Sequence, residues 1–284
     1  MGTAVTHDSN DGVIWRVATR TVHPRLSPFV HGLYGYVERS PVLLRRRELP
    51  APQLVVIFQL GQPIRIFDSG QETTNSGSPV SFTAGIDDRF TVTEYRGEQS
   101  GVQLNLTPIG ARLLFDLPMS KLAGRLVSTG DLLVRDRDFL ARLADCTSWD
   151  ARFDLVEALL ARRLLVRPEL RTQVVGWAYD RIIGSRGRAD ISDLIRETGY
   201  SHKHLLSLFR DQVGMTPKRL ARLVRFDRLV DEVRSGKTDW SSLAVRMGYA
   251  DQAHLVREVR AFSGLSPVSL SAMLTQPVQS ESTR

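Results

Sequence analysis

Two spacings of apolar residues divide the chain. From Val13 to about Thr107 they follow the two-residue period of strands, in short runs such as Val13-Ile-Trp-Arg-Val-Ala-Thr, Val30-His-Gly-Leu-Tyr-Gly-Tyr-Val, Leu54-Val-Val-Ile-Phe-Gln-Leu, Ile64-Arg-Ile-Phe and Val102-Gln-Leu-Asn-Leu-Thr. Phe90-Thr-Val-Thr-Glu-Tyr-Arg alternates cleanly. Gly, Pro, Ser and Asn separate these runs at turn-like intervals, a layout that suggests a small barrel or jelly roll over 13–107. From Pro108 the period becomes helical. Ile109, Leu113, Leu114 and Leu117 suit one helix, Phe139 to Leu143 a second, Trp149 to Leu165 a third and Leu170 to Ile183 a fourth. Gly184-Ser-Arg-Gly187-Arg188 reads as a flexible hinge, which places an N-terminal domain at 13–183 and a second domain at 188–270. The polar residues 1–12 and the tail from Gln276 read as loose.

The second domain says nearly the same thing twice. Ile191-Ser-Asp-Leu194-Ile-Arg-Glu-Thr-Gly199-Tyr200 returns 49 positions later as Trp240-Ser-Ser-Leu243-Ala-Val-Arg-Met-Gly248-Tyr249. The offset then slips to 50: His204-Leu205 recurs as His254-Leu255, Arg210 as Arg260, and Gly214-Met-Thr-Pro217 as Gly264-Leu-Ser-Pro267. In each copy a polar cap opens a short helix that a glycine ends. Ser201 or Asp251 then caps a second helix, and Thr216-Pro217 or Ser266-Pro267 opens a third. Helix, short turn, helix is the arrangement that presents a recognition helix to the major groove.

The outward face of each second helix carries side chains that can read or grip DNA. In the first copy these are His202, Lys203, Leu206, Ser207 and Arg210; in the second, Gln252, Ala253, Val256, Arg257 and Arg260. Gln can pair with adenine, Arg with guanine, and a small apolar side chain can meet the thymine methyl. Arg210 and Arg260 could equally grip phosphates, and ordinary solvated helix faces are the bland alternative. Pro217 to Arg234 reads as one continuous helix of 18 residues between the modules. It would span about 27 Å, so the two heads fall near one turn of B-DNA apart.

The tandem resembles the DNA-binding domain of the AraC/XylS family of bacterial transcription regulators. The resemblance rests on Gly199-Tyr200-Ser201, Gly214-Met-Thr-Pro217, Gly248-Tyr249 and Asp251-Gln252-Ala253-His254-Leu255-Val-Arg257-Glu-Val-Arg260 with Gly264-Leu-Ser-Pro267. It implies that Lys203, Leu206, Ser207, Gln252, Ala253, Val256 and Arg257 face bases. It also implies that the front half is a cupin-like sensor barrel, and that RNA polymerase is a partner. Leu206 and Ser207 are poor hydrogen-bonders, so the first module is expected to contribute little direct readout and to read shape or methyl groups.

Composition bounds the rest. The net charge of +7 favours a polyanionic partner, yet residues 188–270 hold only 14 Lys and Arg against 10 Asp and Glu. Arrangement, more than excess charge, carries the DNA reading. One cysteine, Cys146, excludes an internal disulfide, suggests a reducing compartment and reads as a buried structural thiol. No apolar run or leader pattern suggests a membrane span or secretion, so a cytoplasmic protein is expected.

His7, His23 and His31 are too widely spaced for a cupin metal site, and no nucleophile elbow or phosphate loop appears. No enzyme, cofactor or metal is therefore expected. Trp15, Tyr34, Tyr36, Phe58, Phe67, Phe82 and Tyr95 are candidate pocket residues, with core packing as the alternative. The fold expected is α+β: a cupin-like β-barrel with following helices, then an all-α tandem helix-turn-helix. The function expected is sequence-specific binding of double-stranded promoter DNA, with an N-terminal domain that senses a small-molecule effector or mediates self-association as a homodimer. The rivals are a front half that binds only a protein partner, and a cupin-type enzyme tethered to DNA.

Overall fold

The structure is a computed structural model and describes residues 3–10, 13–68, 71–72, 81–165 and 174–275. The fold is α+β, with an antiparallel sheet first and helices after it. The strands are β1 (Ala4–Asn10), β2 (Val13–Thr19), β3 (Val30–Glu48), β4 (Leu54–Gln59), β5 (Arg65–Asp68), β6 (Gln71–Glu72), β7 (Phe82–Ala84), β8 (Thr91–Leu106) and β9 (Leu126–Ser128). The main path runs β1-β2-β3-β8-β4-β7-β9, with β5 on β8 and β6 on β5. It is open: among the described residues β1 and β9 end the path without pairing to each other.

Two long strands hold this sheet together. β3 and β8 pair from Val30↔Leu106 to Glu48↔Thr91, and the register slips between Ser40 and Leu44. Opposite that slip, Gly97 takes a φ of 88°. A bulge facing a left-handed glycine lets both strands bend at one level and curl the sheet. The sequence showed only the apolar part of β3, because Arg45, Arg46, Arg47 and Glu48 do not look like a strand. Carboxylates on β8 and earlier on β3 itself explain why they are one. Arg45 stands opposite Glu94 of β8 with a 3.9 Å ion pair, and Arg46 meets Glu38, on β3 before the slip, at 2.8 Å.

The polar leader also differs from expectation, since Ala4–Asn10 is strand β1, paired to β2 from Ala4↔Thr19 to Asn10↔Val13. The tail from Gln276 lies outside the described residues, as do 170–173 at the start of the fourth expected helix.

One face of the sheet is covered by helices. Leu33, Leu54, Val56, Phe58, Val102, Leu104 and Leu106 are all at most 1% exposed. Their cover is α1 (Pro108–Phe115), the short α2 (Thr129–Leu132), α3 (Phe139–Asp145) and α4 (Trp149–Leu164). Phe58 meets Phe139 edge to face at 5.3 Å. The candidate pocket aromatics therefore mostly pack: Phe58, Phe67, Phe82 and Tyr95 are buried, and Tyr36 donates to Gln59 Oε1 at 2.8 Å. Cys146 is only half-buried, at the end of α3, where its thiol donates to the Arg142 carbonyl at 3.3 Å.

The segment after α5 (Val174–Gly184) is a tied corner and not the flexible hinge its glycines suggest. Gly187 takes a φ of 75°, and a Cβ there would come within 2.2 Å of the Ala221 carbonyl. Arg225 Nη1 donates to the Gly187 carbonyl at 2.7 Å, and Ala189 N donates to Ser185 Oγ at 2.9 Å. Apolar contact runs unbroken across the corner, from Leu104 through Leu113 and Met119 to Val213, Met215 and Phe226.

Candidate nucleic-acid interface

The tandem folds as its punctuation says. In the first module α6 (Ile191–Thr198) is capped by Asp190, whose carboxylate accepts from Ser192 N and Asp193 N. Gly199 ends it at a φ of 68°. Ser201 caps α7 (His202–Val213), Gly214 ends that at 91°, and Thr216 caps α8 (Pro217–Arg234). The second module repeats each device: Asp239 caps α9 (Trp240–Met247), Gly248 ends it, Asp251 caps α10 (Gln252–Ser263), Gly264 ends it, and α11 (Pro267–Thr275) follows. Each cap contributes on the order of 1 kcal/mol. A side chain at any of these left-handed glycines would strain the turn.

Each second helix buries one stripe and shows the other. Leu205, Phe209 and Val213 in α7, and Leu255, Val259 and Phe262 in α10, are at most 1% exposed. Full burial of such side chains stabilises by roughly 1.5–3 kcal/mol apiece. On the far side His202, Lys203, Ser207 and Arg210 are exposed and Leu206 is half-buried. In α10 Gln252, Ala253, Arg257 and Arg260 are exposed and Val256 is half-buried. All ten candidates thus lie on open stripes of the two helices. Among the described residues Lys203, Arg210, Arg257 and Arg260 form no ion pair, so their charges face water. Gln252 Oε1 already accepts from Ser241 Oγ at 3.2 Å, which leaves its amide N–H groups to donate. Tyr200 packs on His204 at 4.9 Å and Tyr249 on His254 at 5.3 Å, so both turns are buttressed alike.

The rod between the modules is the predicted 18-residue helix, but its arginines have work the spacing did not reveal. Arg222 and Arg225 turn toward the buried carboxylate of Glu258 on α10, which is 4% exposed. Burial, and after it the same carboxylate, pushes the Tyr249 hydroxyl well above its usual range. Phe226 of the rod stacks on Phe262 of α10 at 4.8 Å. The second head is therefore locked to the rod by an ionic knot and an aromatic pair. A signal was available: Glu258 stands at the position of Leu208 in the first copy, a charge where the repeat has an apolar residue.

The first head leans elsewhere. Its second helix α7 packs against α1, against α5 and against a short 3-10 turn at Met119–Lys121. Arg219, in the first turn of the rod, pairs with Asp88 at 2.6 and 2.9 Å. Partial burial opposes the charge on Asp88, yet the Arg219 hydrogen bonds hold its carboxyl below the usual range.

Two cavities lie along this seam. One of about 360 Å³ is lined by Asp87, Asp88, Arg89, Gly214 and Arg219, among others. A second, of about 290 Å³, is lined by His31, Pro52, Gln53, Ile183, Val224, Asp227 and Arg228. Burial and the neighbouring Asp231 raise the Asp227 carboxyl to about 6. Among the described residues no group of His, Cys, Asp and Glu could hold a metal ion, and no helix is long and apolar enough to cross a membrane.

Residues 194–272 match a family described as a helix-turn-helix domain. No curated protein matches the sequence. Among solved structures the chain is similar to ToxT from Vibrio cholerae O395, at 12% identity and a TM-score of 0.45, covering 88% of this chain and 100% of that one. It is also similar to wild-type ToxT from Vibrio cholerae strain SCE256 bound to an unsaturated fatty acid, at 11% identity and a TM-score of 0.48, covering 92% of this chain and 99% of that one. With twin capped modules on one rod and the family match across both, residues 194–272 form a helix-turn-helix domain, the arrangement that presents a recognition helix to DNA.

Proposed function

We propose that the chain recognises a specific, asymmetric double-stranded site by laying α7 and α10 in successive major grooves. The N-terminal domain then senses a small effector or joins two copies. One observation carries the DNA reading: two recognition helices with matching caps and open faces flank a single 18-residue rod. A rod of that length spans about 27 Å, and the width of the flanking helices extends this toward the roughly 34 Å pitch of B-DNA. In this reading His202, Lys203, Leu206 and Ser207 meet one groove, and Gln252, Ala253, Val256 and Arg257 the next. Arg210 and Arg260, later on each helix, hold phosphates. The promoter context makes RNA polymerase the natural partner.

Support for an effector comes from the seam. Both cavities lie where the sheet domain meets the rod, so a bound molecule would touch both domains at once. Fragments selected from a random DNA pool test the DNA reading; failure to enrich any sequence would refute it. A ligand panel that includes fatty acids, scored by melting temperature and by DNA affinity together, tests the effector reading. A compound that changes both supports it. If none does while the chain self-associates at working concentration, the domain serves to join copies.

A further inference from the structure

The two recognition helices are placed by different means, and the difference has a consequence for spacing. The second head belongs to the rod through Glu258 and the Phe226–Phe262 pair. The first head has its main packing on α1, α5 and the 3-10 turn at Met119, and two of those three supports precede β9 in the N-terminal domain. Both helices also end against the same edge of that domain. Gly214, closing α7, sits against the Ile86 side chain, the Met119 carbonyl and the Ala123 Cβ, all within 3.0–3.3 Å of a built Cβ. Gly264, closing α10, sits against the Phe90 ring and the Arg47 guanidinium, within 2.6–3.0 Å.

These contacts are more than touching surfaces. Arg47 Nη1 donates to the Ser263 carbonyl at 2.9 Å, one of the last carbonyls of α10, and its guanidinium lies 4.1 Å over Phe90. A cation bonded to the carbonyl end of a helix is favoured by the helix dipole as well as by the hydrogen bond. Near the other head, Asp88 holds Arg219 in the first turn of the rod. Residues 86–90 thus reach both heads from one loop: Ile86 and Asp88 at the first, Phe90 with Arg47 at the second.

We propose that this edge of the N-terminal domain is a template that sets the distance between the two recognition helices, with Arg47 and Asp88 as positioning residues for DNA spacing. The inference rests on the DNA reading above. If the rod alone set the distance, removing either contact would leave spacing preference as it was. If the edge sets it, the heads keep their own base contacts but lose a fixed separation. Neither residue touches DNA in this account. Its signature is therefore a broadened tolerance for spacers and not simply a weaker complex.

The test uses the full chain and the duplex selected with it. The spacer between the two half-elements is kept, shortened by one base pair or lengthened by one base pair. Wild-type protein is expected to prefer the selected spacer by about tenfold, which is about 1.4 kcal/mol. Arg47→Met and Asp88→Asn are each expected to reduce that preference to within about threefold. Both should retain the wild-type circular dichroism spectrum and nonspecific DNA affinity, which a folding defect would not. Spacer preference unchanged in both variants overturns the template, and so does a wild-type protein indifferent to spacer length. Failure of wild-type protein to enrich any duplex overturns the DNA reading itself, a separate result.

Discussion

Asp227→Asn is expected to make this protein more stable at neutral pH. Asp227 lies on the rod, facing the smaller seam cavity, and its carboxyl is raised to about 6 by burial and by Asp231, against the pull of Arg234 and Arg228. Its ordinary value is about 3.9, so the shift is roughly two units, or nearly 3 kcal/mol at about 1.4 kcal/mol per unit. The side chain keeps some access to water, which reduces the effect to about 1–2 kcal/mol. The sign follows from proton uptake. Between about pH 4 and 6 the folded form binds more protons at this site than the unfolded chain, so stability falls as pH rises through that window. Above pH 6 the destabilisation is complete.

An amide carries no charge and removes that loss. Urea unfolding of wild type and Asp227→Asn at pH 8 should therefore show a higher midpoint for the variant, with the difference shrinking toward zero near pH 4. A variant no more stable at pH 8, or one stabilised equally at both pH values, would refute the reasoning.

Other expectations follow from the same contacts. Glu258→Ala should destabilise by about 2–4 kcal/mol, since it removes the counter-charge of the mostly buried Arg225, which keeps only its bond to the Gly187 carbonyl, while Arg222 can still reach water; a loss under about 1 kcal/mol by denaturation would contradict that. Arg257→Ala should weaken binding to a selected duplex by about 1–3 kcal/mol and relax preference at one base pair, read by competition against single-base variants. Arg210→Ala should instead lower affinity for all sequences and flatten the dependence on salt, checked by titrations at two ionic strengths. Gly264→Ala should both strain a φ of 70° and collide with Phe90, so a melting point at or above wild type would show that the contact with the N-terminal domain is not as described.

The C-terminal half was legible because its signals are local. Asp190, Ser201, Thr216, Asp239 and Asp251 each cap the helix they precede, and Gly199, Gly214, Gly248 and Gly264 all adopt the left-handed turn their places demand. A repeat doubled every such signal. The sheet was legible only where its strands are apolar. The arginine-rich end of β3 and the polar β1 are strands because of the strand each pairs with, β8 with its Glu94 in one case and β2 in the other, and not because of an apolar pattern of their own.

The same reason hid the seam. Nothing near Arg47 announces Ser263, 216 positions away, and nothing near Arg219 announces Asp88. The glycines at 184 and 187 suggested flexibility, but a glycine also permits close approach, and at Gly187 the Ala221 carbonyl and Arg225 occupy the space a side chain would need. The exposure of the candidate DNA-reading residues was legible because on an amphipathic helix it follows from period alone. Glu258 was passed over because its burial depends on Arg222 and Arg225 turning inward.

In the proposed reading one chain places two recognition helices in neighbouring grooves on one side of the duplex. Hydroxyl-radical footprinting of the full chain on its selected duplex tests this most directly. Two protected blocks are expected on one face, centred about 10–10.5 base pairs apart, the first weakened by Arg210→Ala and the second by Arg257→Ala. A single block, or two blocks on opposite faces of the helix, would contradict it.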